Sequence, residues 1–210
     1  MPNSEIHETK THGKITFPYI IYRGNIPEYI VSYPLHWHEE MEFIYVVNGT
    51  GIVTVQKQRY LLHSGDLIII APEIIHSIEQ YKDATMEYFN VLFKLPLLAN
   101  SIGDYCYETY LKPFSNYTKV LPNFLPAGNE LNNLLTPYIL NLIENRKKSY
   151  SGYELMVKSN LYAIMYHLNQ YATFSTITQK QLQSNYEKIK ILLQYLKANY
   201  HEPISIKEAA

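Results

Sequence analysis

The side chains best able to do chemistry lie in one short segment, His36-Trp37-His38-Glu39-Glu40-Met41-Glu42. In an extended strand, residues of one parity share a face. His36, His38 and Glu42 are therefore expected to point to one side, and Trp37 to the other, where core or interface packing suits it. Gly65-Asp66, Pro72 and His76 follow at a spacing that returns a fourth polar side chain to the same region. Three imidazoles and one carboxylate make a ligand set for Zn²⁺, Fe²⁺, Mn²⁺ or Ni²⁺. The same four groups suit two other tasks: binding the hydroxyls of an organic ligand such as a sugar inside a cavity, or holding one another by ordinary hydrogen bonds. The residues leave all three open.

Tyr88 is a further candidate. Along residues 86–95 one parity (Phe89, Val91, Phe93, Leu95) is apolar and reads as core, while the other (Met86, Tyr88, Asn90, Leu92) is mixed and could line a pocket or face water. His63 precedes a turn and is expected in solvent. His7, His12, His167 and His201 have no partner at a recognisable spacing and receive no role. No acid–base pair or nucleophile triad is legible, so no catalytic residue is assigned. Gly49-Thr50-Gly51 is expected to be a hairpin turn rather than a phosphate cradle, because it precedes a strand and not a helix.

The elements that must position these groups are mostly strands. β-branched and aromatic residues cluster at 15–22, 29–33, 42–47, 52–55, 67–70, 76–81 and 86–95, separated by turn signals at Asn48–Gly51 and Ser64–Asp66. Many short strands at this spacing predict a barrel or sandwich. Residues 97–110 carry a weaker helical signal. Leu131, Leu134, Leu135, Tyr138, Ile139, Leu142 and Ile143 predict a helix over 129–147, with Pro137 imposing a kink or a late start. A second helix is expected over 152–171 and a third from Asn185, after a polar, linker-like stretch at 173–184. Ser205-Ile206-Lys207-Glu208 is a capping-box sequence that announces a further helix, although the sequence ends two residues later.

Of the 210 residues 47% are hydrophobic and 18% charged, the balance of a foldable chain rather than a disordered one. A formal net charge of −1 argues against a self-sufficient nucleic-acid binder, which needs a basic surplus to neutralise phosphates. The single Cys106 excludes an internal disulfide framework. The polar N-terminus and the lack of any apolar stretch of ~20 residues predict a cytoplasmic protein without membrane contact.

Two motifs carry a resemblance. H-x-H-x3-E-x6-G is met by His36, His38, Glu42 and Gly49, and G-D-x5-P-x3-H by Gly65, Asp66, Pro72 and His76. Both resemble the paired motifs of the cupin superfamily, whose matching positions coordinate an ion in metal-dependent members. The chain departs from the enzyme pattern in having Ile30 where a glycine precedes the first histidine, and Ile74-Ile75 in the loop after Pro72. Residues 186–210 resemble the opening of the DNA-binding domain of AraC-family regulators, with Tyr195 to Tyr200 ending one helix and Ser205 starting the next. Taken together, the resemblances imply a mainly β plus α chain: a cupin-type (double-stranded β-helix, jelly-roll) barrel followed by a helical dimerisation segment. The implied division is an N-terminal arm at 1–14, the barrel at 15–96, an irregular segment and dimerisation helices at 97–172, a linker at 173–184, and at 185–210 a helix-turn-helix domain cut off at its start.

The implied function is effector sensing in a transcription regulator that is not an enzyme. A small-molecule effector, such as a sugar, would touch His36, His38, Glu42, His76 and Tyr88. A homodimer would form through Leu155, Leu161, Tyr162, Met165 and Leu168 on the second helix, and DNA would be bound only through the domain missing from the sequence. The competing reading is a metal-dependent cupin enzyme, a dioxygenase or sugar isomerase, with His36, His38, Glu42 and His76 holding Zn, Fe, Mn or Ni.

Overall fold

The computed structural model describes residues 7–8, 10–148 and 150–175, and the single positions 188, 191, 192, 195, 199 and 201. The polar stretch at 176–184 and the capping box at Ser205–Glu208 lie outside the described residues, and the helix expected from Asn185 is covered only at those single positions.

Seven main strands build the body: β1 (Tyr19–Ile26), β2 (Ser32–His36), β3 (Met41–Val55), β4 (Gln58–His63), β5 (Leu67–Ile70), β6 (His76–Gln80) and β7 (Met86–Phe93). Two-residue strands β8 (Lys119–Val120), β9 (Phe124–Leu125) and β10 (Thr173–Phe174) add short edges. One face is ordered β1-β7-β3-β5-β9, and all its pairings are antiparallel. The second half of β3 leaves this face to pair with β4 and β6, and β6 in turn pairs with β2. Strand β3 thus belongs to both faces and closes the β-rich body expected from the sequence.

That continuity corrects the hairpin expected at Asn48–Gly51, since β3 runs unbroken for 15 residues. The two glycines serve a bulged crossing instead. Gly49 has φ +84°, and a Cβ there would lie 1.9 Å from the Thr85 carbonyl oxygen; one on Gly51 would strike the Met86 side chain at 2.5 Å. The pairing with β7 shifts register between Val46 and Asn48, which changes the inward parity of the strand. Before the shift Ile44 and Val46 face inward; after it Val53 and Val55 do, packed in one cluster with Leu62, Ile68, Ile70 and Tyr88. The true reversal is the two-residue connection from β3 to β4, where Gln56 takes φ 57°. β4 carries no strong sequence signal because most of its positions are exposed and only Leu62 is buried.

The opposite parity of β3, β5 and β7 packs outward under the helices. Met41, Phe43, Leu67, Ile69, Phe89, Val91 and Phe93 form one cluster with Leu135, Ile139, Leu142, Leu161, Ile164 and Leu168. All four residues of β5 are therefore buried, two per side, which explains its uninterrupted apolar run. A short α1 (Lys112–Ser115) follows a π-helical turn at Tyr107–Leu111, where sequence pattern predicts one helix over 97–110. α2 spans Glu130–Asn145 and starts at an Asn129 cap whose side chain accepts the Leu131 and Asn132 amides at 3.0 and 3.2 Å. It runs through Pro137 rather than starting after it. α3 spans Tyr153–Tyr171 and packs on α2. Among the described residues, no helix is long and apolar enough to cross a membrane.

Candidate functional site

Register brings the histidines together. β2 pairs with β6 so that His36 and His76 are direct cross-strand partners, and their ring centroids lie 4.1 Å apart. His38 and Glu42 do not share a strand with His36, contrary to the parity argument. β2 ends at His36, His38 lies in the connection, and Glu42 is the second residue of β3. The chain turns a corner here because the Glu73 amide donates to the His38 carbonyl at 2.7 Å, tying the connection to the loop after β5. Convergence survives the corner. The His38 and His76 Nε2 atoms lie 3.2 and 3.0 Å from the same Glu42 Oε2, and all four side chains are buried.

The cavity above them holds about 200 Å³ and opens between the two faces. Even-numbered β1 residues pair with even-numbered β7 residues, Tyr22 with Asn90 and Gly24 with Tyr88, so this parity walls the cavity together with His36, His38 and Glu42. Tyr88 is buried and lines it, as does Asn90; His76 sits off the wall, behind Glu42. Trp37 stacks on His7 with centroids 4.0 Å apart, and His63 is exposed. Asp66 of the second motif is structural: its carboxylate accepts the His63 and Ala127 amides, both at 2.8 Å.

Spacing missed two residues of the N-terminal segment. Glu8 accepts the Tyr33 hydroxyl at 2.9 Å and comes within 3.7 Å of His36 Nε2. His12, given no role above, is buried, bonds to the Tyr22 hydroxyl at 3.2 Å and stands edge-on to His38. No periodicity could reveal either one, because an irregular segment brings them in; Tyr22 was reachable through strand parity.

The electrostatics favour one buried anion among imidazoles. Burial opposes ionisation of Glu42, but the His38 hydrogen bond and the His76 ring 3.0 Å away hold its carboxyl far below the ordinary range. For His38 burial works against protonation, and the Glu42 contact prevails, raising its pKa. His36 is pushed down to about 4, first by burial and then by repulsion from His76. Glu8, although half-buried, is brought down to about 2 by the His12 ring 3.5 Å away and the Tyr33 hydrogen bond. Burial raises the Tyr88 hydroxyl to about 12.

A divalent ion fits this donor set. The Nδ1 atoms of His36 and His76 bond to the Pro34 and Ile74 carbonyls at 2.9 and 2.8 Å. A carbonyl only accepts, so Nδ1 carries the proton and each neutral ring keeps its lone pair on Nε2. One ligand atom from each of His36, His38 and His76 lies within 4.8 Å of the others. His76 Nε2, despite its closeness to Glu42, makes no hydrogen bond. An ion held here would supply a Lewis-acid anchor for an oxygen of a bound molecule.

The five residues expected at a dimer interface divide. Leu161, Met165 and Leu168 are at most 1% exposed, spent on the packing of α3 against the monomer's own core, which corrects their assignment to a contact surface. Leu155 is 73% exposed, and Tyr162 is half-buried, its hydroxyl donating to the Leu98 carbonyl.

A profile of the AraC-like ligand binding domain family matches residues 27–165. Two curated proteins of Bacillus subtilis (strain 168) are similar along the chain. The uncharacterized HTH-type transcriptional regulator YdeC is 21% identical over 99% of this chain and 70% of its own length. YbfI, of the same description, is 19% identical over 84% and 59%. Among solved structures, a predicted oxalate decarboxylase from Thermotoga maritima is 25% identical over 35% of this chain and 64% of its own, with a TM-score of 0.32. A cupin 2 conserved barrel domain protein from Salinispora arenicola is 15% identical over 40% and 69%, with a TM-score of 0.33.

Proposed function

The chain belongs to the AraC-like ligand-binding domain family, and from that premise we propose that its cavity senses a compact polar effector, of the size and hydroxyl content of a monosaccharide, within a regulator that binds DNA through another segment. One observation carries the reading. Three buried polar atoms on cavity-lining residues, His12 Nε2, His38 Nδ1 and Asn90 Oδ1, make no hydrogen bond among the described residues. Unpaired buried polar atoms are costly and rare, and their collection at one site suits a molecule that brings its own donors and acceptors. The volume of about 200 Å³ is below the ~300–1,000 Å³ of drug-sized sites, so the occupant is small. His36, His38, Glu42 and Tyr88 are its wall contacts, and His76 stands behind Glu42.

Sensing is a population shift: the effector must bind one arrangement of two regulator copies more tightly than another. The homodimer that this needs would use what the monomer leaves exposed on α3, Leu155 and Tyr166, with half-buried Tyr162 beside them at helical spacing. A chain carrying net charge −1 contributes little to phosphate binding itself.

Thermal-shift screening against monosaccharides and small hydroxy acids tests the proposal. A true effector at 100 times its Kd stabilises the fold by about 2.7 kcal/mol, and Tyr88→Phe should weaken that effect. Failure of every compound of this class to raise Tm would overturn it. The three-histidine cluster is what favours the enzyme reading, a metal-dependent dioxygenase or sugar isomerase. Stoichiometric iron or manganese that survives dialysis and accompanies turnover would decide for it.

A further inference from the structure

Glu8 approaches the histidine cluster from outside the barrel strands, and its placement is not incidental. Its amide donates to the Trp37 carbonyl at 3.0 Å, and the neighbouring His7 ring stacks on Trp37. Its carboxylate is thereby set against the cluster with one oxygen accepting from Tyr33 and the other 3.7 Å from His36 Nε2. Two atoms on one transition-metal ion at ~2.0–2.2 Å each lie at most ~4.4 Å apart. The Glu8–His36 pair already satisfies that bound; the three histidine atoms, within 4.8 Å of one another, need shifts of only a few tenths of an ångström, and Glu8, outside that set of three, reaches a shared ion by a further swing of its carboxylate. The His36 lone pair is held on Nε2, facing Glu8, by the Nδ1 bond to Pro34.

We propose that a divalent transition-metal ion in the His36–His38–His76 cluster takes Glu8 as an additional ligand, so that ion binding fastens the segment around residues 7–14 across the cavity wall. Lys10 and His12 border the same cavity, and fastening Glu8 between Tyr33 and the ion fixes both. The barrel then has two inputs at one site, an ion that sets the N-terminal segment and an organic molecule that fills the remaining space. The inference concerns the ion alone and stands whether or not an effector is found.

The test uses tag-free full-length protein with no small molecule present. Co²⁺ and Zn²⁺ are titrated into the wild type, Glu8→Gln and Tyr33→Phe, reading the visible absorption of bound Co²⁺ and the rate of tryptic cleavage after Lys10 and Lys14. The wild type should bind one ion and be cleaved more slowly with it. Glu8→Gln should bind at least about tenfold more weakly, change the Co²⁺ spectrum and lose the protection. Tyr33→Phe, which removes a hydrogen bond to Glu8 but no ligand, should keep the wild-type spectrum. An unaltered spectrum and affinity in Glu8→Gln, or protection that persists in it, would overturn the role of Glu8. Absence of stoichiometric binding by the wild type would overturn the ion site altogether.

Discussion

Replacing Glu42 by glutamine and by leucine separates two ways in which a buried carboxylate can hold its neighbours. His38 Nε2 lies 3.2 Å from Glu42 Oε2 as a hydrogen-bond partner, and His76 Nε2 lies 3.0 Å away. Because His76 Nδ1 donates to the Ile74 carbonyl, the neutral tautomer of its ring turns a lone pair toward the carboxylate. A glutamine has both complements, an oxygen to accept from His38 and an amide to donate to His76. Metal-free Glu42→Gln should therefore stay within about 1 kcal/mol of wild type. Leucine offers neither, leaving His38 Nε2 newly unpaired beside the already unpaired His76 Nε2, at about 1–3 kcal/mol. With partial compensation by apolar packing, the expected loss is about 1–3 kcal/mol, or a fall in Tm of about 2–12 °C for a chain of this size. Urea denaturation in EDTA at mildly alkaline pH measures both variants. If Glu42→Gln loses as much as Glu42→Leu, the negative charge rather than hydrogen-bond complementarity organises the cluster, and the argument fails.

Five further outcomes follow from the geometry. Asp66→Ala removes the acceptor of the His63 and Ala127 amides and should lower stability by about 2–4 kcal/mol in chemical denaturation, with Co²⁺ binding unchanged. Gly49→Ala must place a Cβ 1.9 Å from the Thr85 carbonyl oxygen at φ +84°, and should cost about 2–4 kcal/mol by the same assay; a smaller loss would mean that the β3 crossing is not fixed by close approach. Gly24→Ala sets a Cβ 2.1 Å from Tyr88 Cζ and pushes the ring into the cavity, so calorimetry should show effector affinity reduced about tenfold or more, at least 1.4 kcal/mol. On α3, Leu161→Ala should cost about 2–5 kcal/mol. Leu155→Glu should leave monomer stability within about 0.5 kcal/mol and raise the dimer dissociation constant in sedimentation velocity.

Much of the site was written in residue spacing. The two histidine motifs place His36, His38, Glu42 and His76 in one buried group, although the reason is a cross-strand pairing and a chain corner rather than a single strand. Alternation along 86–93 separated the apolar core parity from the mixed one, but that the mixed parity walls a cavity rather than facing water was decided by the sheet being covered on both sides. The helices over 130–145 and 153–171 were legible from their periodicity. Surface assignment on α3 was not: a broad apolar stripe reads the same whether it meets its own barrel or another copy, and Leu161, Met165 and Leu168 meet the barrel side.

What the amino-acid order determined alone is local: strand and helix periods, caps and the motif residues, all governed by interactions over a few positions. Tertiary structure decided what depends on contacts between distant segments. It made Asn48–Gly51 a crossing instead of a turn, since Thr85 and Met86 press on those glycines. It brought Glu8 and His12 to the cavity. Their arrival rests on pairing with Trp37, Tyr33 and Tyr22, and an irregular segment has no repeat from which such partners can be read.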